Sequence, residues 1–388
     1  MKSHGVKRKI TCITGTRADY PRVRSVLREI ESRDNLKLDI IVTGSHLLHE
    51  YGYSVQEIID DGFKISKKVE MFTGDFDTPL GMTQASAKCT AGISEALADI
   101  DPDLVLITVD RVETLASTIA ASLMNFPIAH IQGGEVTGTI DESIRHAVTK
   151  LSHIHFPATE DAEKRIIMMG ENKDYVFKTG CPYIDEIKVL VPSKVEELGK
   201  KYKFDPTKKL IIFTQHSVTT EFDESLDQVE HTIKALEDFP ENQIICFFSN
   251  TDAGGRRIIE RIGKQENFIK IPNMLSHDFL SLMSYSSLMI GNSSAGLREA
   301  PSFKLPVINI GSRQNGRLRA KNVIDVDHDT DAIKEAIKYS LYDKDFLNSL
   351  EDLVNPYGDG TASKQIVDVL ENIELNRELI QKEICYDI

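Results

Sequence analysis

The chain has 388 residues, 41% hydrophobic and 27% charged, with no Trp and a formal net charge of −14. That length favours two domains, each large enough to bury its own core. The charge argues against nucleic-acid and membrane-surface partners, which both present phosphates, so any bound phosphate must meet a local cluster of Arg and backbone N–H groups.

Five scattered cysteines, Cys12, Cys89, Cys181, Cys246 and Cys385, form no CxxC pair and no Cys/His array. Reduced core thiols in a cytoplasmic protein, with no metal and no cofactor, are expected. The N-terminal MKSHGVKRK lacks the apolar stretch of a signal peptide, and no run of about 18 apolar residues predicts a membrane span. HExxH, Walker A, EF-hand and GxSxG patterns are all absent.

In chain order, the first half predicts strands over 9–14, 37–43, 104–109, 127–131 and 153–157. Helical patterns lie between them, near 19–31, 82–99, 112–124, 141–151 and 159–169. Ile- and Val-rich strands alternating with helices imply a parallel sheet covered on both faces. After a polar, Lys-rich stretch over 191–209 the rhythm restarts. Strands over 210–214, 243–249, 268–271, 288–290 and 306–310 alternate with helices near 221–238, 254–262, 277–284 and 295–300, and a last helix covers about 361–373. The expected fold class is α/β, with two Rossmann-like doubly wound domains facing a cleft. The first occupies 1–190, the second 191–365, and a C-terminal helix and tail over 366–388 packs back on the first. Open sheets of this kind bind ligands at the carboxyl ends of their strands.

The candidate residues fall at those ends. The first strand runs into Gly15-Thr16-Arg17-Ala18-Asp19-Tyr20, a glycine turn opening a helix, with Asp19 as N-cap and Arg17 at the mouth. An Arg beside exposed helix N–H groups suits a diphosphate. The strand over 104–109 leads to Asp110-Arg111. The strand over 127–131 leads to Gln132-Gly133-Gly134-Glu135, and then to Asp141-Glu142 and Arg145-His146 at a helix start. Asp110, Glu135 and Asp141 thus gather at one sheet edge, where like charges held close prepare an acid/base set. Asp141 and Arg145, four apart, share a helix face and could pair. In the second half Gln215-His216 follows a strand, and Gly291-Asn292-Ser293-Ser294-Ala295-Gly296 leads into a helix carrying Glu299. Small residues, hydroxyls and a helix dipole suit a phosphate, an ionised Glu suits a ribose diol, and Arg313 and Arg317 add cations.

Together these segments resemble the UDP-N-acetylglucosamine 2-epimerase family, in its hydrolysing branch. The resemblance rests on GTRADY (15–20), GSHLLHEYG (44–52), DRVETLA (110–116), HIQGGEVTGTIDESIRHAVTKLSH (130–153), GCPYID (180–185), QHSVTT (215–220), GNSSAGLREA (291–300), INIGSRQNGR (308–317) and YGDG (357–360). It implies a GT-B-like fold whose second lobe grips UDP. The implied reaction eliminates UDP to a 2-acetamidoglucal and adds water, giving UDP and N-acetylmannosamine for sialic acid synthesis. By motif match Arg17, Ser293, Ser294, Glu299 and Arg313 fall on UDP-holding positions, and Asp110, Asp141 and His216 on catalytic ones. Glu135 joins the catalytic set, and Arg111, Gln132 and Arg145 the substrate-binding set. A homodimer or homotetramer is also implied.

Two departures stand out: Val109 where many relatives carry Gly, and Gln132 where many carry a catalytic Glu. A neutral amide cannot act as a base, so that role moves to Asp110, Glu135 or Asp141, or is unnecessary. Animal members carry arginines tied to CMP-sialic acid feedback where the closest residues here are Glu260 and Gly263, so that regulation is not expected. Alternatives are the same reaction on UDP-2,4-diacetamido-2,4,6-trideoxyglucose for legionaminic acid, a GT-B glycosyltransferase, and a non-catalytic UDP-sugar sensor.

Overall fold

The computed structural model describes residues 7–17, 19–49, 52–73, 79–137, 140–249, 255–272 and 274–385. Ala18, Glu50, Tyr51, Gly138, Thr139 and Gly254, which fall inside segments singled out above, lie outside the described residues.

Two six-stranded parallel sheets form two compact units. The first unit comprises 1–135, 140–186 and 357–388, and the second 136–139 and 187–356. In the first, β1 (Arg8–Thr14), β2 (Leu36–Thr43), β3 (Ile65–Val69), β4 (Leu104–Thr108), β5 (Ile128–Ile131) and β6 (Ile154–Phe156) adopt the order β3-β2-β1-β4-β5-β6. In the second, β7 (Leu210–Thr214), β8 (Gln243–Phe247), β9 (Phe268–Ile271), β10 (Leu288–Gly291), β11 (Val307–Ile310) and β12 (Val323–Val326) are ordered β12-β11-β10-β7-β8-β9. Both are doubly wound Rossmann arrangements, as the rhythm of the sequence predicts. The strand order reverses between β1 and β4, and between β7 and β10, and those are the places where such sheets open a crevice.

Alternation along each strand feeds the two faces. In the first unit Ile10, Cys12, Leu104 and Leu106 pack with Leu27, Ile30, Ile366 and Leu370. On the opposite face Ile41, Val105 and Ile107 meet Cys89, Ile93, Leu97 and Ala120. In the second unit Ile211, Phe213, Leu288, Ile290 and Ile308 pack with Ile233, Leu236 and Ile337. Each fully buried Leu, Ile or Phe contributes about 1.5–3 kcal/mol, which is why the strands are near-continuous apolar runs.

The chain returns to the first unit at Tyr357, ahead of the 365/366 boundary read from the sequence. The turn that begins there is tied down: Cys181 N–H donates to Tyr357 O at 2.7 Å. The Asp185 carboxylate accepts from Ala362 N at 3.0 Å and Ser363 N at 2.6 Å, capping the helix Ala362–Asn372 from the first unit. Residues 136–139 group with the second unit, where Arg317 Nε donates to Val136 O at 3.1 Å.

Two strands escape the sequence reading. β3 (ISKKV) and β12 (VIDV) are edge strands, mostly half-exposed and carrying Lys67, Lys68 and Asp325, so they lack the apolar run of a central strand. Within the polar stretch over 191–209 lies the helix Val195–Tyr202, which buries only Leu198 and Gly199. Among the described residues no helix is long and apolar enough to cross a membrane. Cys12, Cys89, Cys181 and Cys246 are buried free thiols; Cys385 is exposed, unlike the core thiol expected.

Candidate functional site

In the first unit the residues at the β1, β4 and β5 ends are organised by buried charge. Asp19 is not the side-chain N-cap expected of it. Its carboxylate turns back to accept from Gly15 N and Thr16 N, both at 3.0 Å, and from Thr14 Oγ1 at 2.7 Å. Burial works against the Asp19 anion, but His46 and these hydrogen bonds hold its carboxyl below the usual range. The Gly15 and Thr16 amides are thus consumed by Asp19, the Asp19 and Tyr20 amides both donate to Thr16 O at 3.2 Å, and the regular α-helix starts only at Arg24. That corrects the expectation of exposed helix N–H groups beside Arg17. The Arg17 side chain itself is exposed.

Asp110 lies just past β4, its side chain 16% exposed, in a short charge-assisted bond with Arg145 Nη2. Arg145, fully buried on the helix Asp141–Leu151, also donates through Nη1 to Glu135 O at 2.6 Å. Burial works most strongly against its charge, but attraction from Asp110, Glu135 and Asp141 together with the Asp110 hydrogen bond raises the guanidinium pKa, so Arg145 is a fixed cation. The hydrogen bond joins Arg145 to a residue 35 away in sequence, while Asp141, four residues away, adds to the attraction on its charge. Asp141 instead comes within 3.8 Å of Arg111 Nη1. One sheet edge thus holds Asp110–Arg145 and Arg111–Asp141 as two acid–base contacts, with the Glu135 backbone carbonyl bonded to Arg145. Gln132 sits beside them in a left-handed conformation (φ 61°), with its side-chain amide buried and lacking a hydrogen-bond partner.

In the second unit His216 follows β7 and Asn292 follows β10. Asn292 Oδ1 accepts from His216 N at 2.7 Å, and Asn292 Nδ2 donates to His216 O at 2.8 Å. The Asn292 carbonyl accepts from Arg313 Nη1 at 3.1 Å and from Gln314 Nε2 at 2.8 Å. One peptide therefore ties the His216 strand end to the Arg313 loop. Ser293 and Ser294 are half-buried beside it, and Glu299 is buried. The helix expected over 295–300 is a single α turn, Ala295–Arg298, followed by a 3-10 turn over Ala300–Phe303, so the dipole offered to a phosphate is short. Arg317 is engaged with Val136 O and Gln314 Oε1, at 3.1 and 2.9 Å, and serves as a loop brace.

Sequence reasoning passed over Asn292, Gln314, Glu113 and His130. Asn292 stood inside a motif read only for its Gly and Ser. Glu113 is buried, and desolvation raises its carboxyl pKa. His130 was visible as a lone polar residue in an apolar strand. No group of three or more His, Cys, Asp or Glu able to hold a metal occurs among the described residues.

Paired Rossmann units, one edged with acids and buried arginine and the other with a Ser-Arg loop, define a two-unit α/β enzyme of nucleotide-handling architecture. The family model of UDP-N-acetylglucosamine 2-epimerase matches residues 28–371. The chain belongs to that family. It is 39% identical over 386 residues to a Legionella pneumophila UDP-N,N'-diacetylbacillosamine 2-epimerase (hydrolyzing), covering 98% of this chain and 100% of that protein. It is 34% identical over 374 residues to a Neisseria meningitidis UDP-N-acetylglucosamine 2-epimerase, covering 95% and 96%. The crystal structure of a Neisseria meningitidis UDP-GlcNAc 2-epimerase bound to UDP-GlcNAc shares the GT-B-like fold. It superposes with a TM-score of 0.82 at 21% identity, covering 93% of this chain and 99% of that one.

Proposed function

We propose that this chain is a hydrolysing 2-epimerase of a UDP-linked 2-acetamido sugar. The observation that carries the reading is the buried Arg145–Asp110 pair, set beside Glu135 and the Arg111–Asp141 contact at one sheet edge. The C2 hydrogen is a very weak acid, so a base must take it as the C1–O bond breaks and the electron pair leaves with UDP. Asp110, Glu135 and Asp141 supply that base and the acid that later delivers a proton to the opposite face of C2. Water adds its oxygen to C1 of the glucal. His216 is the remaining catalytic group. Arg17, Ser293, Ser294 and Arg313 take the diphosphate, and Glu299 takes the ribose diol. Gln132 can donate and accept but not titrate, which suits it to orienting the substrate.

Two sugars fit this chemistry. UDP-N-acetylglucosamine gives N-acetylmannosamine, a sialic acid precursor. UDP-2,4-diacetamido-2,4,6-trideoxyglucose, which is UDP-N,N'-diacetylbacillosamine, gives the corresponding precursor of legionaminic acid. The 39% identity to the Legionella pneumophila protein, against 34% to the Neisseria meningitidis one, favours the second sugar. We read the protein as a cytoplasmic homo-oligomer, in keeping with its buried free thiols. Incubation of the enzyme with each UDP-sugar in heavy water should release free UDP and a sugar epimerised and deuterated at C2, faster from the diacetamido sugar. A UDP-linked epimer without free UDP would sink the hydrolytic reading, and transfer to an acceptor with C2 retained would make it a glycosyltransferase.

A further inference from the structure

The turn that presents Asp110 is held in an unfavourable conformation. β4 ends at Thr108, and Val109 has φ 59°. L-residues rarely adopt that left-handed region, and a β-branched side chain suits it least. Val109 is buried, so no solvent relaxes it. Both its polar groups are held by the neighbouring strand. Its N–H donates to Ile131 O at 3.1 Å, and its carbonyl accepts from His130 Nε2 at 2.8 Å.

His130 is built for that single task. It lies on β5, paired in register with Ile107 of β4 and His155 of β6, and is fully buried. A carbonyl can only accept, so Nε2 carries the proton and the tautomer is set. Burial holds the imidazole neutral, its pKa pushed down to about 3, with the charges of His155 and Arg145 acting in the same direction. The other face of the ring is confined. A Cβ added to Gly133 would lie 2.9 Å from Nδ1 and 3.0 Å from Thr149 Oγ1. The ring is thus wedged between the β5 turn and the helix that carries Arg145.

We infer that His130 is a positioning residue for Asp110: its Nε2–H clamps the left-handed Val109 peptide, aiming the next carboxylate at Arg145. Resting on the proposed reaction, this adds a residue that touches neither sugar nor nucleotide. A core histidine packed for its volume alone would show none of the following coupling with Val109.

The test measures UDP release and amide hydrogen exchange across residues 108–112 in wild type and four variants. His130→Gln, whose amide N–H can reach where Nε2 did, should keep kcat within about threefold. His130→Leu, which keeps bulk but cannot donate, should lower kcat on the order of 10²-fold, change KM less than threefold, and speed exchange at Val109 and Asp110. Val109→Gly alone, free to adopt positive φ, should stay within about threefold of wild type. Val109→Gly combined with His130→Leu should recover at least tenfold over His130→Leu. Multiplying penalties in the double variant, or unchanged exchange in His130→Leu, would overturn the inference. Should His130→Leu not fold, His130→Asn, too short to reach the Val109 carbonyl, replaces it with the same expectations. The wild-type arm separates the two readings: no turnover on either UDP-sugar refutes the proposed reaction, while the exchange arm still decides whether His130 clamps the turn.

Discussion

The carboxamide of Asn292 grips the peptide of His216 at both its donor and its acceptor, at 2.7 and 2.8 Å. Only a group that donates and accepts in one plane can do this. An Asp in its place would still accept from His216 N but would face the His216 carbonyl with a second acceptor. The Arg313 and Gln314 bonds run to the Asn292 backbone and survive any side-chain change. Asn292→Asp is therefore expected to lower kcat at least tenfold while UDP affinity, read by calorimetry, changes less than threefold. Asn292→Ala, which leaves both groups unsatisfied, should also cost about 1–3 kcal/mol in urea unfolding. Equal losses in kcat and UDP affinity would show that Asn292 serves the nucleotide rather than His216.

Asp110→Asn keeps an acceptor for Arg145 but cannot take a proton. Turnover should fall on the order of 10²-fold or more, and stability should fall by about 1–3 kcal/mol, because the neutral amide leaves the buried Arg145 cation without its counter-ion. Arg145→Ala is different, because it strips a buried cation from Asp110 and from the Glu135 carbonyl. It should cost about 3 kcal/mol, the scale for breaking a buried pair, and lower turnover as well. If Asp110→Asn retained near-full activity in a UDP-release assay, the acid/base set would have to be Glu135 and Asp141.

The two doubly wound sheets were legible because parallel strands buried on both faces must be apolar throughout, as Leu104–Thr108 and Leu210–Thr214 are. Edge strands obey no such rule, and β3 and β12 were lost for that reason. The same logic governs the site. Strand ends are one-dimensional facts, so Asp110, Gln132 and His216 could be located from sequence. Partners are three-dimensional: helical spacing offered Arg145 to Asp141, whereas the turn after β4 brings Asp110 to it. Asp19 shows the converse, a side chain placed correctly whose hydrogen bonds run backwards into its own turn.

Two glycines give a sharp contrast in stability. Gly291 closes β10 with φ 124°, and a Cβ there would lie 1.9 Å from Thr214 O, a backbone atom of the adjacent strand. Gly291→Ala should abolish UDP binding and unfold the second unit at lower urea. Gly263 ends the helix Gly255–Gly263 with nothing within 4 Å of an added Cβ. Gly263→Ala should raise stability by about 0.4–1 kcal/mol without touching turnover. Thermal unfolding of both variants checks the pair, and a neutral Gly291→Ala would refute the packing of β7 on β10.

Acid sensitivity follows from histidines buried neutral. Desolvation lowers the His130 imidazole to about 3; it lowers His153 to about 4, with Lys382 and His155 adding to the effect. In the unfolded chain both titrate near the ordinary 6.5. Below that pH the unfolded state binds more protons than the folded one, so stability is full above about 7 and falls as the pH drops from 6.5 towards 4. The slope is about 1.4 kcal/mol per pH unit for each histidine held neutral. Carboxylates act in a lower window. Burial alone would raise the Glu171 pKa, but His155, Lys382 and Lys150 hold it down to about 2, so its contribution is lost only as pH falls below 4.5. His153→Asn removes one titration, and its amide oxygen can still accept from Ile128 N, as His153 Nδ1 does at 3.0 Å. Urea unfolding at pH 7, 6 and 5 should therefore give a steep loss for the wild type and a slope shallower by about one proton for His153→Asn. An unchanged slope would mean that His153 is protonated in the folded protein.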